Sequence, residues 1–208
     1  PAIHVTHSVG GGILIAGVGV EDDEDDDGDG ITEAAGDTDD DAGAKVRVFG
    51  GSPALLTSAA PSGNLALGAT ASGFGLHARG LVEAVGVYDG VSATAIRLEG
   101  QAGAAVTTAG GIQLDNRLRV SANEANAYGL YIGDNVSVPV LSQRGSLEST
   151  TISEALRTAF GVYIAAGANA PQLNNTGSMR SIVQGEIGPA AALPDPSHPL
   201  ATTHTTGT

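Results

Sequence analysis

The chain has 208 residues, a length that suits one domain or two small ones. It carries 9 Lys and Arg against 23 Asp and Glu, a formal net charge of −14, and it contains no Cys and no Trp. The missing cysteines exclude disulfide scaffolds, Cys-ligated metal centres and thiol catalysis, and the acidic balance argues against a nucleic-acid partner. No apolar run approaches the roughly 18 residues of a membrane span, and no secretory signal is present. Because the sequence begins at Pro1 rather than Met, we expect a mature segment or a fragment of a longer protein.

Most of the negative charge lies in one segment near the N terminus. Residues 21–41 contain thirteen acidic side chains, and the other ten acids face nine Lys and Arg residues. The rest of the chain is therefore close to neutral, and the net charge describes one loop rather than the whole protein.

Short strands are the predicted elements along the chain. Apolar and polar residues alternate with period 2 in five segments that are bounded by Gly, Asn or Asp, as expected of strands and turns. In chain order these segments are residues 2–5, 45–48, 95–98, 129–132 and 161–164. One short segment, residues 151–159, has a helical pattern, and an irregular loop explains it equally well.

The strand segments repeat along the sequence. From Tyr128 to Leu147 the sequence is similar to the segment from Phe160 to Met179 at a constant offset of 32 residues, without a gap. Degenerate copies begin at Thr94 and Pro1, and a shorter relative occupies residues 73–78. A repeat of roughly 20–50 residues is typical of solenoid architectures.

We therefore predict an all-β fold, a parallel β-solenoid over residues 1–188 into which the acidic loop 21–43 is inserted. Coils would lie about 4.8 Å apart, and about six of them would fit the length. A narrow interior explains the many Ala, Val, Ile and Leu residues and the shortage of large aromatic side chains. Gly and Asn would supply the turns. A β-sandwich with chance self-similarity is the alternative.

The acidic loop predicts a calcium site. Its candidate ligands are two alternating series of carboxylates with one further carboxylate between them: Asp25, Asp27, Asp29, Glu33, Asp37, Asp39 and Asp41. With Gly30, the first series matches the D-x-D-x-D-G start of a calcium loop, in which a tight turn directs several oxygens at one cation. An EF-hand would have Glu at the position of Gly36, where the adjacent Asp37 could substitute. The alternative is an open, solvated loop, because like charges repel. The density of acids, with Lys45 as the one nearby cation, favours calcium as a cofactor.

Other candidate groups carry weaker signals. His4 and His7 are three residues apart on a predicted strand, so they face opposite sides and we interpret them as surface histidines. No Ser–His–Asp order stands out. The charged groups that a carbohydrate-cleaving enzyme would use on a solenoid face are Arg97 with Glu99, Asp115 with Arg117 and Arg119, and Asp134. Their spacing is not specific, and we favour a solvated charged face.

Residues 189–208 form a separate extended tail. The segment from Gly188 contains Pro189, Pro194, Pro196 and Pro199 and ends in a Thr-rich stretch. Such a composition is typical of an extended linker without a core of its own. We expect the tail to lie along another copy of the chain, for instance as an added strand.

The repeats resemble the passenger regions of alphaproteobacterial autotransporters, sphingomonad-like ones in particular. The resemblance is carried by A-I-R-L-E-G from Ala95, Y-G-L-Y-I-G from Tyr128, F-G-V-Y-I-A-A-G from Phe160 and the opening P-A-I-H-V. It implies a right-handed parallel β-helix, export to the cell surface of a Gram-negative bacterium, and a role in adhesion, matrix or filament formation. The acidic loop is similar to the Asp-rich calcium repeats of thrombospondin type 3.

Together these features predict a non-enzymatic extracellular structural protein. We expect a calcium-stabilised solenoid that forms a homo-oligomer or filament through its coil ends and its tail, because the ends of a solenoid expose unpaired strand edges. A surface adhesin or glycan-binding module is the alternative, against which the few aromatic residues argue. A polysaccharide lyase or hydrolase is the remote alternative.

Overall fold

A computed structural model describes residues 1–17, 43–61 and 63–185, and these form five coils of parallel β-structure. The predicted all-β parallel solenoid is confirmed, and the β-sandwich alternative does not hold, because every strand pair in the four sheets is parallel. The described residues contain no helix, and thus none that could span a membrane.

The five coils contribute eighteen strands. The first coil contains β1 Ile3–Val5, β2 Ile13–Ile15 and β3 Lys45–Phe49; the second contains β4 Leu55–Ser58, β5 Leu65–Leu67, β6 Leu76–Ala78 and β7 Leu81–Val85; the third contains β8 Ala93–Glu99, β9 Val106–Thr108, β10 Ile112–Leu114 and β11 Arg117–Asn123; the fourth contains β12 Ala127–Ile132, β13 Val136–Ser137, β14 Leu141–Gln143 and β15 Ser146–Ile152; the fifth contains β16 Ala159–Ile164, β17 Leu173–Asn175 and β18 Ser178–Gln184.

Strands of successive coils pair to form four faces. Sheet 1 has the order β1-β4-β8-β12-β16, sheet 2 the order β5-β9-β13, sheet 3 the order β2-β6-β10-β14-β17, and sheet 4 the order β3-β7-β11-β15-β18. Parallel bridges from Val9 to Leu67 and from Ser137 to Asn169 continue sheet 2 into the first and fifth coils. Each residue in a strand therefore lies directly above or below its counterpart in the neighbouring coil.

The register explains the repeat in the sequence. Tyr128 pairs with Phe160 and Leu147 with Met179, so the 32-residue offset is the step from the fourth coil to the fifth. The degenerate copy at Thr94 is the third coil, because Thr94 pairs with Tyr128. Five coils are present among the described residues, where the length suggested about six, and residues 18–42 and 186–208 lie outside the described part.

For two segments, residues 151–159 and residues 73–78, the local sequence pattern does not determine the structure. Residues 153–158 form an irregular corner between β15 and β16, so the loop alternative for residues 151–159 holds and no helix forms. Residues 73–78 look like a sheet 1 strand in sequence, but their strand is β6, which pairs with β2 and β10 in sheet 3. All faces of a solenoid need the same aliphatic alternation, so local sequence does not distinguish them.

Columns of aliphatic side chains fill the interior. The three main columns are at most 2% exposed in the inner coils: Leu55, Ile96 and Leu130 in sheet 1, Leu76, Ile112 and Leu141 in sheet 3, and Val82, Leu118 and Leu147 in sheet 4. Burial of each such side chain stabilises the fold by about 1.5–3 kcal/mol. No Phe or Tyr belongs to the buried core of the described residues, which agrees with the narrow interior.

Neighbouring coils approach so closely at some corners that only glycine fits. Gly111 has φ of +101°, and a Cβ there would overlap the carbonyl oxygen of Val140 in the next coil. Gly73 has a similar φ of +87°, but a Cβ there would meet nothing within 4 Å. The two positions therefore separate the effect of coil packing from that of left-handed backbone conformation.

We expect Gly111→Ala to destabilise the solenoid much more than Gly73→Ala. The Gly73 variant should lose about 1–2 kcal/mol, the cost of a left-handed backbone for a residue with a Cβ. The Gly111 variant should lose about 1–3 kcal/mol more, since the Cβ must push two coils apart. Urea unfolding of both variants measures the difference, and equal losses would contradict the close approach of the coils at Gly111.

Candidate functional site

The predicted calcium ligands Asp25, Asp27, Asp29, Glu33, Asp37, Asp39 and Asp41 lie outside the described residues, as does the tail 189–208. The fold places the acidic segment between β2 and β3, in the first coil. Within residues 1–17, 43–61 and 63–185, no group of three or more His, Asp or Glu side chains is arranged to hold a metal ion. Calcium binding by this loop stays a prediction.

The two histidines near the N terminus have separate partners. His4 Nε2 lies 2.8 Å from Ser58 Oγ in the second coil, and His7 Nδ1 lies 3.0 Å from Thr6 Oγ1. Both residues are exposed. Both are surface histidines, as expected, but only His4 lies on β1; His7 follows the end of the strand, so the predicted strand placement does not hold for it.

The outer side of sheet 4 carries a column of alternating charge. In coil order its residues are Arg47, Glu83, Arg119, Glu148 and Arg180. The Glu83 carboxylate lies 2.7 Å from Arg47 Nε and 3.6 Å from Arg119 Nη1, and its side chain is only 11% exposed. Arg117, in the neighbouring column, reaches Glu148 at 3.4 Å. Arg117 and Arg119 therefore belong to a charged face that links coils, and not to a site around Asp115.

Asp115 instead joins a hydrogen-bonded chain that the sequence did not reveal. His77 Nε2 lies 2.6 Å from Asp115 Oδ2, Gln113 Nε2 donates to the same oxygen at 2.6 Å, and His77 Nδ1 lies 2.8 Å from Ser72 Oγ. His77 and Gln113 are 7% and 6% exposed. They meet because β6 and β10 pair with His77 beside Gln113, a register that spacing along the chain does not show.

The directions of these hydrogen bonds argue against Ser72 as a nucleophile. The Thr70 hydroxyl donates to the Phe74 carbonyl oxygen at 2.8 Å, so the 2.9 Å contact between Thr70 and Ser72 needs the Ser72 hydroxyl as donor. With its own proton directed at Thr70, Ser72 Oγ is an acceptor toward His77 Nδ1, which lies 2.8 Å away, and Gln113 Nε2 lies 3.2 Å from His77 Nε2. A general base would have to accept the serine proton instead. This series of hydrogen bonds therefore connects the corner at residues 70–74 with His77 and Asp115 in and beside sheet 3.

The electrostatics of Asp115 follow from these contacts. Burial raises the pKa of the Asp115 carboxyl, but hydrogen bonds from His77 and Gln113, with the charges of His77 and Arg144, outweigh burial and hold the pKa below its ordinary value. The carboxylate is thus stabilised in its charged form.

Arg97 and Glu99 form a neutralised pair on the outer side of β8. The guanidinium donates twice to the carboxylate, from Nε at 3.1 Å and from Nη2 at 2.7 Å. The two side chains are 34% and 41% exposed. Arg97 also lies over the ring of Tyr131, with 4.6 Å from Cζ to the ring centroid.

An aromatic patch lies beside this pair, on the outer side of sheet 1. It consists of Tyr128, Tyr131, Phe160 and Tyr163, which are four of the seven aromatic residues in the chain. Tyr131 and Tyr163 are near-parallel with centroids 5.0 Å apart, and Tyr128 and Phe160 are near-parallel at 5.7 Å. All four side chains are half-buried. The 32-residue offset already pairs these residues in sequence, and the structure adds that all four rings lie on the outer side and contact one another.

Asp134 has a structural role at a corner. Its Oδ1 accepts a hydrogen bond of 2.9 Å from the backbone N–H of Gly167 in the fifth coil. The contact links the fourth and fifth coils. Among the described residues, Asp134 does not belong to any group of three or more side chains that could bind a metal ion.

The fifth coil differs from the inner coils in the exposure of its inward side chains. Ile164, Leu173, Met179 and Val183 are 41%, 51%, 37% and 54% exposed. Their counterparts in the fourth coil, Ile132, Leu141, Leu147 and Thr151, are all 0% exposed. We call this surface the coil 5 face.

Comparisons with protein-family models, with curated proteins and with solved structures found no match to the chain. The resemblances to autotransporter passengers and to thrombospondin-type calcium loops therefore stay predictions.

We expect Asp115→Asn to destabilise the fold in a pH-dependent manner. Because the pKa of Asp115 is lowered in the folded state, its charge stabilises the fold above the ordinary Asp pKa of about 3.9, and that contribution is lost as the pH falls through the lower folded-state pKa. The variant should lose about 1–3 kcal/mol at neutral pH, with a deficit that shrinks below about pH 4.

Urea unfolding of both proteins between neutral and acidic pH measures this deficit. Asp89→Asn is the matched control, since Asp89 is exposed and accepts one hydrogen bond from Asn123 at 2.8 Å. A deficit for Asp115→Asn that stays constant as the pH falls would rule out stabilisation by the charged carboxylate.

Proposed function

We propose that the chain is a non-enzymatic structural solenoid that assembles with copies of itself through the coil 5 face. The observation that carries the proposal is the exposure of inward apolar side chains in the fifth coil at positions that are fully buried one coil earlier. A further layer of β-structure on this face would bury them. Each fully buried side chain of this size contributes about 1.5–3 kcal/mol, so four half-exposed ones offer several kcal/mol.

The first coil of a second copy fits this layer. Ile3, Ile13 and Val46 occupy the first-coil positions of the columns that end in Val162, Leu173 and Met179. A head-to-tail contact in the same register would therefore continue all three apolar columns. It would also pair the free edges of β16, β17 and β18, which have one strand neighbour each among the described residues. A heterologous contact of this kind repeats and builds a filament.

The charge column opposes this contact only weakly. It begins with Arg47 and ends with Arg180, so an in-register contact brings two like charges together. Pairs of exposed charges typically contribute no more than about 1 kcal/mol. The apolar columns therefore dominate, and the charge column offers a means of testing the register.

A non-enzymatic role is supported by the charged groups of the described residues. Arg97 is neutralised by Glu99, Asp134 holds a corner, and the Ser72 hydroxyl donates its hydrogen bond to Thr70 Oγ1. Each group has a structural partner that accounts for it.

Calcium and an extracellular location complete the proposal. The acidic loop has the alternating carboxylates that calcium prefers, and the resemblance to autotransporter passengers points to the surface of a Gram-negative bacterium. An adhesin remains the second candidate, and the aromatic patch favours it.

We expect Val183→Asp with Leu173→Asp to abolish assembly, because charged side chains at buried joints are costly to desolvate. Leu156→Asp is the control, since Leu156 is fully exposed and lies outside the coil 5 face. Sedimentation velocity and negative-stain microscopy measure assembly. Monomers of the unmodified chain at high concentration, or assembly that survives the double substitution, would contradict the proposal.

Arg180→Glu tests the register of the joint. The substitution continues the alternation of charge and places an acid beside Arg47 of the second copy, so assembly should strengthen at low salt. Arg157→Glu, in the corner before β16, should have no such effect. Weaker assembly of Arg180→Glu would exclude the in-register contact, and assembly through residues 189–208 would be revealed by its loss on truncation of that tail.

For the acidic loop, we expect millimolar calcium to raise the melting temperature and a chelator to lower it, because an ion that binds only the folded state stabilises it. Asp27→Asn with Asp29→Asn should weaken the effect while leaving the coils folded, since contacts in a solenoid are local. Glu154→Gln is the control outside the loop. Calorimetry without calcium uptake, together with an unchanged melt, would reject the site.

A further inference from the structure

We propose that the aromatic patch, together with the Arg97–Glu99 pair, is a binding site for an uncharged glycan. The inference goes beyond the assembly proposed above and does not rest on it. It assigns a ligand class to the outer side of sheet 1, whereas the assembly proposal concerns the inward side chains of the fifth coil.

The solenoid itself does not require aromatic residues at these positions. Tyr131 and Tyr163 continue a column whose earlier members are His4, Leu56 and Arg97. Tyr128 and Phe160 belong to a second column, in which the third coil contributes Thr94. The first three coils are thus built without aromatic rings in these columns. The chain has seven aromatic residues, and four of them lie on two adjacent coils of one face.

The patch combines apolar rings with polar groups at their edges. The rings lie 5.0–5.8 Å apart, alternately near-parallel and edge-on, and remain partly accessible. Three of them carry phenol hydroxyls, and the Asn126 amide lies 3.4 Å from the Tyr128 hydroxyl. The Tyr131 hydroxyl is protonated at neutral pH and can donate and accept hydrogen bonds, and burial raises its pKa further, against the opposing effect of Arg97. Sugars need both features, since one face of a pyranose ring is apolar and its rim is hydroxylated.

The charges of the patch indicate an uncharged ligand. Arg97 is the one cation in contact with the rings among the described residues, and its guanidinium is held by two hydrogen bonds to Glu99. An anionic ligand would have to displace that carboxylate. The pair nevertheless presents donors and acceptors at 34% and 41% exposure, which suits hydroxyl groups.

The size of the patch suits a short oligosaccharide. Arg97, Tyr131 and Tyr163 lie on three successive coils at a spacing of about 4.8 Å, so they span about 10 Å. That length matches about two sugar units. The four rings are half-buried, in contrast to Phe49 and Tyr88, which are 67% and 72% exposed, and this partial burial favours a small ligand over a protein partner.

Tyrosine fluorescence gives a direct measurement of binding. The chain has no Trp, and three of its four tyrosines are in the patch. In a Tyr88→Phe background all emission comes from patch tyrosines. A glycan array of neutral and uronate-bearing oligosaccharides selects the probes, and titration with uncharged hexose oligosaccharides should change the emission in a saturable way.

Four variants locate the site. Tyr131→Ala should weaken binding by about tenfold in calorimetry, Tyr131→Phe should retain most of it, and Tyr88→Ala should leave it unchanged. Because Tyr131→Ala removes packing as well, Glu99→Gln provides a test that leaves the rings in place. It frees the Arg97 charge and should gain affinity for uronate-bearing glycans. Thermal melting verifies that each variant is folded.

Several results would overturn the inference. Absence of binding to every uncharged glycan on the array would do so, as would binding by the unmodified chain to anionic glycans alone. Binding of uncharged glycans that persists undiminished in Tyr131→Ala would place the site elsewhere, as would a Glu99→Gln variant that gains no affinity for uronate-bearing glycans. These outcomes are independent of sedimentation behaviour, so they leave the assembly proposal unaffected.

Discussion

Parallel pairing of each coil with the next is the constraint on which the whole structure depends. Backbone hydrogen bonds between coils hold the strands about 4.8 Å apart, so every side chain in a strand lies next to its counterparts in the coils above and below. Most interior positions are therefore aliphatic in successive coils, as in the column of Leu55, Ile96 and Leu130, although a few, such as Thr57 and Thr151, are buried and polar. The same spacing brings Gly111 against the Val140 carbonyl and leaves no room for a side chain.

The same stacking of side chains in columns determines which groups meet on the surface. Alternating charges in sheet 4 attract because Arg47, Glu83 and Arg119 are successive members of one column. Aromatic rings in sheet 1 meet for the same reason, and Arg97 contacts Tyr131 from the coil before it. Contacts in such a structure are made with the adjacent coils only, so its stability is a sum of local terms. Among the described residues, the fifth coil pairs with one other coil only, and its inward side chains are partly exposed.

Much of the fold follows from patterns that a single sequence contains. The alternation around Tyr131 and Tyr163, and the 32-residue offset between them, predicted both the strands and the pairing of β12 with β16. Between the third and fourth coils the corners differ in length, so the sequence offset between paired strands is not constant and the sequence repeat does not give their register. The segment at residues 73–78 was similar to sheet 1 strands yet belongs to sheet 3, because each face satisfies the same rule of small aliphatic residues inside.

The sequence by itself determined the class of fold and the position of the acidic loop, because period-2 alternation, glycine-rich corners and charge density are local properties of the chain. It did not determine which polar groups meet. His77 and Asp115 are 38 residues apart and come within 2.6 Å only through the register of β6 and β10. The aromatic patch is an intermediate case: the 32-residue offset places Tyr128 beside Phe160 and Tyr131 beside Tyr163, but only the structure shows that all four rings contact one another on the outer side of sheet 1. Only tertiary structure decides such groupings, because they depend on which residues share a column, and corner lengths that vary from coil to coil set that register.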